Sequence, residues 1–254
     1  MAKLFLPILI LACLLLGFTE SFLSYRDSQY VRSVASRVVQ EANAADAQAK
    51  VIALRDYLRR HVRYQEAATE GRPFLRDSAA DTLRSGKGYC GEVSRAFIVM
   101  ADTVGIRAQR INLYGKAQHV VAEAELAPGN RVIVDCQNPP QIADLEPLDQ
   151  VIQRPEYDDY YTLNLRRLHL NWLVTRVKLE MGPLTYWVER PHAINASLWF
   201  LLAAAMLGLK GLRLLARAYL KWRGWVHIST IPAVQPEAES HVDAVKTVEK
   251  LKTA

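Results

Sequence analysis

The clearest periodic pattern in the chain follows Cys90. Apolar residues recur there at three- and four-residue steps before Gly105, at Val93, Ala96, Phe97, Met100, Ala101 and Val104. This spacing predicts an amphipathic helix that ends near the glycine. Cys90 lies three residues before Val93, in the first turn and on the apolar face. The unpaired N–H groups and partial positive charge of a helix N-terminus favour a thiolate there.

Alternating patterns after this helix predict a β-hairpin. From His119 to Leu126 the even positions are all apolar, which predicts a strand with His119 on the face turned away from the main core. A turn sequence at 128–130 leads to a second short strand, Arg131 to Asp135. The hairpin would place His119 and Asp135 on neighbouring strands.

Helices and one further strand complete the predicted domain. Apolar positions between Tyr30 and Tyr64 predict helices that cover the sheet, residues 72–83 predict a loop and a short helix, and Ile106 to Tyr114 alternates as a strand. The predicted fold class is therefore α+β, with a Cys-bearing helix packed on an antiparallel sheet.

Cys90, His119 and Asp135 have the residue types of a thiol triad. The cysteine would attack an acyl carbon, the histidine would take and return a proton, and the carboxylate would fix the histidine tautomer. Taken singly, each residue could have a purely structural role. Their order in the sequence and the faces on which they are predicted to lie favour a common site instead. His169 is an alternative base that lacks a strand-paired carboxylate, so His119 is preferred.

About a third of the chain, from Asp56 to Asp135, resembles the transglutaminase-like superfamily, a branch of the papain-like thiol enzymes. The resemblance is carried by the segments 54–64, 80–92 and 104–108, by His119 and by Val134-Asp135. It implies a papain/transglutaminase-like core in which Cys90, His119 and Asp135 are catalytic. Val120 departs from the aromatic residue often found after the family histidine, which changes the expected shape of the substrate pocket.

Two apolar stretches, Leu4 to Phe18 and Ile194 to Leu209, predict membrane-spanning helices that flank this core. For the first, a cleaved signal peptide is the alternative, and a lipoprotein would be processed at Cys13. The apolar run continues beyond Cys13 and no clean cleavage site follows. An uncleaved anchor is therefore favoured.

Charge predicts the orientation. Five basic residues follow the second stretch, at Lys210, Arg213, Arg217, Lys221 and Arg223, whereas only Lys3 precedes the first. Short basic flanks stay in the cytoplasm. In a bacterium this places the catalytic domain in the periplasm, or otherwise outside the cytoplasm, and the C-terminal tail in the cytoplasm.

The predicted organisation has six parts. They are an anchor or signal peptide at 1–23, a transglutaminase-like domain at 24–143, its C-terminal extension at 144–190, a transmembrane helix at 191–212, a basic amphipathic segment at 213–227 and a flexible tail at 228–254. The aromatic- and arginine-rich segment 157–172 is interpreted as part of the extension, with a substrate platform or partner surface as the alternative.

Composition limits the partners and cofactors that are expected. The net charge is +6 without a recognisable nucleic-acid module, so no nucleic-acid partner is expected. Three cysteines give no disulfide framework, Cys136 is predicted to be a core thiol, and the Cys and His spacings indicate no zinc site and no other cofactor.

The predicted function is thiol-dependent acyl transfer on a protein or peptide amide. Water as acceptor would make the chain a cysteine peptidase or amidase, which is preferred, and an amine would make it a transglutaminase-type enzyme. The alternative is a catalytically inactive scaffold that binds partners in a cell-envelope or exopolysaccharide assembly.

Overall fold

The computed structural model describes residues 2–65, 77–115, 118–142, 144–151, 160–162 and 183–225. Its helices are α1 (Ala2–Glu41), α2 (Ala47–His61), α3 (Ala79–Ser85), α4 (Cys90–Thr103), α5 (Leu148–Val151), α6 (Pro183–Val188) and α7 (Pro191–Trp222). Its strands are β1 (Arg63–Tyr64), β2 (Lys87–Gly88), β3 (Ala108–Gly115), β4 (Gln118–Ala127), β5 (Asn130–Val134) and β6 (Tyr160–Thr162).

The described strands form two sheets. Four of them make an antiparallel sheet in the order β5-β4-β3-β6, and β1 and β2 make a short parallel pair. The predicted α+β class, with helices packed on an antiparallel sheet, is confirmed. The sheet-forming hairpin is also confirmed, although β5 ends at Val134, so Asp135 is the first loop residue rather than the last residue of the strand.

The main core lies between this sheet and helices α1 to α4. Phe97, Ile98 and Met100 of α4 are fully buried there, against small residues of β4 such as Ala122 and Ala124. Small side chains on the sheet let a helix approach closely, and large ones on the helix then fill the space. The alternate positions of β4 face a second, smaller cluster made by Val121, Ile133, Ile142 and Val151.

Helix α4 ends as its sequence predicts. Gly105 has φ +81°, a left-handed conformation that glycine adopts without steric cost, and its N–H binds the Asp102 carbonyl. The chain then reverses, and the Ile106 N–H binds the Ala101 carbonyl at 2.9 Å. This reversal leads directly into β3, so the helix with Cys90 at its start and the central strands are joined by a short, fixed turn.

Two helices differ from their predicted boundaries. The apolar stretch at the N-terminus and the first helix of the domain are one continuous helix, α1. Likewise the second apolar stretch continues through most of the basic segment as α7. No proline lies at either junction, and the helix-forming residues around Gly208 and Gly211 keep the second one helical.

Both long helices are apolar and long enough to cross a membrane. Their 18-residue windows have mean hydropathy 2.1 for Phe5–Glu41 and 1.7 for Pro191–Trp222, and only 17% and 6% of those windows are buried. A core helix would be mostly buried, so the core does not explain these apolar windows. A signal sequence would share the properties of the window in α1. The chain divides into two compact units, Met1–Ala204 and Ala205–Ala254.

Candidate active site

Cys90 is the first residue of α4 and is partly exposed. The turn before it is held by the Glu92 carboxylate, which accepts a hydrogen bond from the Tyr89 N–H at 3.2 Å. The first backbone N–H groups of a helix have no partner within the helix. The Cys90 N–H is one of these groups and is available to an oxygen that carries negative charge.

His119 and Asp135 are brought together by the β4–β5 hairpin. Nε2 of His119 lies 3.0 Å from Oδ2 of Asp135, and both side chains are buried. In the hairpin register Ala122 pairs with Val134. His119 of β4 and Asp135, which directly follows β5, therefore lie on the same side of the sheet. The predicted pairing of these two residues is therefore present in the structure.

The loop after β5 is built around the Asp135 carboxylate. Oδ1 accepts the N–H of Gln137 at 3.1 Å, and Oδ2 accepts those of Gln141 at 2.8 Å and Ile142 at 3.3 Å. Burial raises the pKa of Asp135, but His119 and these backbone donors lower it further, so the net pKa lies below its ordinary value. The carboxylate is therefore ionised and fixed in position.

The backbone of Asp135 is held from the helix layer. The Arg59 guanidinium donates to the Asp135 carbonyl at 2.6 and 3.0 Å. Arg59 also pairs with Asp144 at 2.8 Å, and Arg55 pairs with the same carboxylate at 3.2 Å. This network ties α2 to the loop that carries the carboxylate.

Cys90 and His119 are close enough for each to shift the pKa of the other. Since Nε2 binds Asp135, Nδ1 is the ring nitrogen that remains for the thiol. Burial raises the pKa of Cys90, but His119 and the backbone N–H groups of Val120 and Gly91 lower it to below its ordinary value. Burial lowers the pKa of His119, but Asp135 and Cys90 raise it to about 9. The two opposite shifts therefore favour the thiolate–imidazolium ion pair over the neutral pair.

A buried charge cluster supports the first turn of α4. Arg110 donates to the Gly91 carbonyl at 3.0 Å and to both carboxylate oxygens of Glu189 at 2.6 and 2.7 Å. Arg95 also pairs with Glu189, at 3.3 Å. Burial lowers the pKa of Arg110, whereas Glu189 and the charge of Cys90 raise it above its ordinary value. A permanent positive charge therefore lies near the thiol.

Sequence reasoning missed Arg110 and Glu189 as parts of the site. Alternation along β3 places Arg110 on the same face as Ala108. An arginine on this core-facing side was the signal in the sequence that could have identified it. No pattern in the sequence connects it with Glu189, which lies 79 residues later. Tyr64 and Tyr89 were also not assigned to the site, although the electrostatic influence of Cys90 reaches the phenol of Tyr64.

The other cysteines stay outside this site. Cys90, Cys13 and Cys136 are all free thiols, and Cys13 and Cys136 are buried. Cys136 belongs to the main core, as predicted, and burial raises its pKa well above the ordinary value. The alternative base His169, and most of segment 157–172, lie outside the described residues.

Among the described residues, one group of three side chains has the spacing of metal ligands, Asp27, Asp81 and His192. Arg84 already pairs with Asp27 at 3.0 Å, and the Ser78 hydroxyl donates to the same carboxylate at 2.7 Å. A guanidinium among the donors opposes the binding of a cation. The group is therefore an ion-pair network that joins α1, α3 and α7.

The central part of the chain matches a known protein family. Residues 32–136 match the model of the transglutaminase-like superfamily. No curated protein matches the chain. Among solved structures it is similar to a Cytophaga hutchinsonii protein described as a "putative cysteine protease", with 23% identity and TM-score 0.37, over 45% of this chain and 39% of that one. It is also similar to a Parabacteroides distasonis "putative protease", with 15% identity and TM-score 0.35, over 46% and 26%. This chain spans less than half the length of either solved chain.

Proposed function

We propose that the chain catalyses thiol-dependent acyl transfer on amide bonds, with Cys90 as nucleophile. The proposal starts from the match of residues 32–136 to the transglutaminase-like superfamily. One observation carries the proposal. A buried histidine, His119, is hydrogen-bonded to a buried carboxylate that several backbone N–H groups hold, and it is close enough to the partly exposed Cys90 thiol to lower its pKa. This arrangement supplies a nucleophile, a proton carrier and an orienting group in one place.

The chemistry follows from these contacts. The Cys90 thiolate attacks the amide carbonyl carbon, and the oxygen that becomes negative is met by the Cys90 N–H at the helix start. The C–N bond then breaks as the His119 imidazolium protonates the leaving amine, which leaves a thioester on Cys90. In the second half His119 accepts a proton from water while the water oxygen attacks the thioester carbon. The C–S bond breaks and the thiolate returns. Asp135 stabilises the charged imidazole throughout.

Hydrolysis is the proposed outcome, so the chain is proposed to be a peptidase or amidase. An amine in place of water would give a crosslink by the same steps. Water is preferred because it is always present at high concentration. The substrate is accordingly proposed to be a protein or peptide amide.

The rate of acyl transfer should be greatest in a pH window that ends at about 9. Below the lowered pKa of Cys90 the thiolate is lost, and above that of His119 the imidazolium that protonates the leaving amine is lost. The measurement is cleavage of a mixture of quenched fluorescent peptides, and incorporation of a fluorescent amine into a glutamine peptide, from about pH 4 to about pH 10. Cys90→Ala provides the blank.

The same assays separate the enzyme from a scaffold. If neither activity is found and Cys90 alkylates no faster than a free thiol, the proposed enzyme is wrong and a binding role in an envelope assembly is favoured. If amine incorporation exceeds cleavage at equal concentrations of acceptor, the chain is a crosslinking enzyme rather than a hydrolase.

We propose further that α1 and α7 anchor the domain in a membrane. Their apolar portions run antiparallel and in contact: the Phe18 and Phe200 rings meet edge to face at 5.3 Å, and Glu20 lies 2.7 Å from His192. Outward-facing residues such as Phe5 and Leu201 are largely exposed. Apolar surface of this extent on two adjacent helices is favourable in lipid and costly in water.

Alkaline phosphatase fused after Gln150 should be active in bacteria, whereas a fusion after Gly224 should be inactive. The basic residues that follow Leu209 keep that end in the cytoplasm, so the domain between the two apolar stretches is outside it. A β-galactosidase fusion at each site gives the reciprocal control. An inactive fusion after Gln150 would contradict the proposed extracytoplasmic domain.

A further inference from the structure

Two exposed tyrosines stand beside the nucleophile. Tyr89 immediately precedes Cys90, and Tyr64 lies close enough for the charges of Cys90 and Glu92 to influence its hydroxyl. We propose that Tyr64 and Tyr89 form the wall of a substrate subsite that binds a flat aromatic side chain flanking the scissile amide. This inference rests on the proposed function and specifies the class of substrate.

The backbone that carries Tyr64 is fixed. Strand β1 runs parallel to β2, with Tyr64 opposite Gly88, and the Arg63 N–H donates to the Gly86 carbonyl at 2.9 Å. The preceding residue, Val62, is buried and its N–H binds the Leu58 carbonyl at 2.8 Å. A tyrosine on such a ladder is a preorganised contact, which lowers the entropy lost when a ligand binds.

Gly88 allows this ladder to lie against the helix that carries the thiol. A Cβ at Gly88 would be 3.0 Å from the Cβ of Glu92 and 3.3 Å from Cγ2 of Thr82. A side chain there would push the ladder away from the first turn of α4. The close approach of backbone and helix explains why Tyr64, which is 26 residues from Cys90 in sequence, lies next to it.

The two rings contact each other and leave apolar surface open. Their centroids are 5.2 Å apart with an interplanar angle of 68°, an edge-to-face pair. Tyr64 is 50% exposed and Tyr89 39% exposed. Two tyrosines whose rings pack on each other, rather than into the core, provide a rigid surface with large contact area at low entropic cost, as tyrosines do in binding sites.

The charges around the pair favour an apolar ligand over an anionic one. Arg63 and Lys87 are cross-strand neighbours, and both are exposed. Successive residues of a strand point to opposite faces, so these cations lie on the other face of the ladder from Tyr64. The tyrosine face therefore presents ring surface and hydroxyl groups, and the Glu92 carboxylate is close enough to influence the Tyr64 hydroxyl.

The test compares the alkylation of Cys90 by four probes that share one reactive group. They are chloroacetamide and its N-benzyl, N-carboxyethyl and N-aminoethyl derivatives, applied to the full chain in lipid nanodiscs. Peptide mass spectrometry measures the rate at Cys90 alone. We expect the N-benzyl probe to react about two- to tenfold faster than chloroacetamide, after each rate is divided by that of free glutathione.

Variants assign this preference to the tyrosines. Tyr64→Ala and Tyr89→Ala should abolish it, Tyr64→Phe should retain it, and Tyr25→Ala, which removes another exposed tyrosine, should leave it unchanged. Equal rates for the N-benzyl probe and chloroacetamide, or a faster N-carboxyethyl probe, would overturn the apolar subsite. The absolute rate with chloroacetamide tests the proposed function separately, because an unactivated thiol reacts slowly with every probe.

Discussion

Replacing His119 with glutamine should slow the alkylation of Cys90 at about pH 6 by roughly a hundredfold. Burial raises the pKa of Cys90, and His119 is the strongest of the influences that lower it. Without this partner the thiol returns toward the free value of about 8.5, where less than about 1% is thiolate at that pH. The second-order rate constant with iodoacetamide follows this fraction and is the quantity to measure.

A matched histidine provides the control. His61 is an exposed residue of α2 that stacks on Tyr57 and hydrogen-bonds with its carbonyl group. His61→Gln should leave the rate at Cys90 unchanged. At about pH 10 the His119→Gln rate should approach that of the unmodified protein, because both thiols are then ionised. A variant that stays slow at high pH would indicate a distorted fold, and one that stays fast at about pH 6 would contradict the activated pair.

The parts of the site that the sequence predicted are those with periodic surroundings. The helix after Cys90 and the strand after His119 are each long enough for their apolar positions to distinguish a helical spacing from the alternation of a strand. Once a short turn makes the two strands a hairpin, the faces of His119 and Asp135 are determined by the register. The pairing of His119 with Asp135 therefore follows from local patterns alone, whereas their catalytic role stays a prediction.

The remaining parts depend on contacts that no local pattern encodes. Strands β1 and β2 have two residues each, too few for alternation, so the position of Tyr64 beside Cys90 was not predicted. The pair formed by Arg110 and Glu189 joins a central strand to the turn before α7. The backbone donors to Asp135 come from an aperiodic loop. In each case the tertiary fold, rather than the periodicity of one element, brings the groups together.

Asp135→Asn should reduce kcat/KM by about a thousand- to ten-thousandfold. The asparagine amide is nearly isosteric, but it is uncharged and presents an NH₂ group where Asp135 now accepts hydrogen bonds from Nε2 of His119 and from backbone N–H groups. The imidazolium then loses the partner that raises its pKa, and the ring can adopt the wrong tautomer for the thiol. Alkylation of Cys90 at about pH 6 should fall in parallel with turnover, because both require the ion pair.

The same substitution should lower the free energy of unfolding at neutral pH by about 3 kcal/mol, since it breaks a buried, hydrogen-bonded charge pair. The sign of the pH dependence follows from the two shifts. The pKa of Asp135 is lowered in the folded state, so its contribution is present above the unfolded value of about 3.9 and is lost as the pH falls through the folded pKa. The pKa of His119 is raised, so its contribution is complete below about 6.5 and is lost as the pH rises through about 9.

Urea unfolding at several pH values therefore distinguishes this pair from an ordinary surface carboxylate. The unmodified protein should be most stable between about pH 3.9 and about pH 6.5, where both contributions are complete. Asp135→Asn should flatten this dependence of the free energy of unfolding on pH. Asp56→Asn is the control, because the Asp56 side chain is 43% exposed and its charge is screened by water, so its pair with Arg55 contributes about 1 kcal/mol at most. If Asp135→Asn matched this control in stability and kept full turnover, Asp135 would not orient His119 and the assignment of the triad would be wrong.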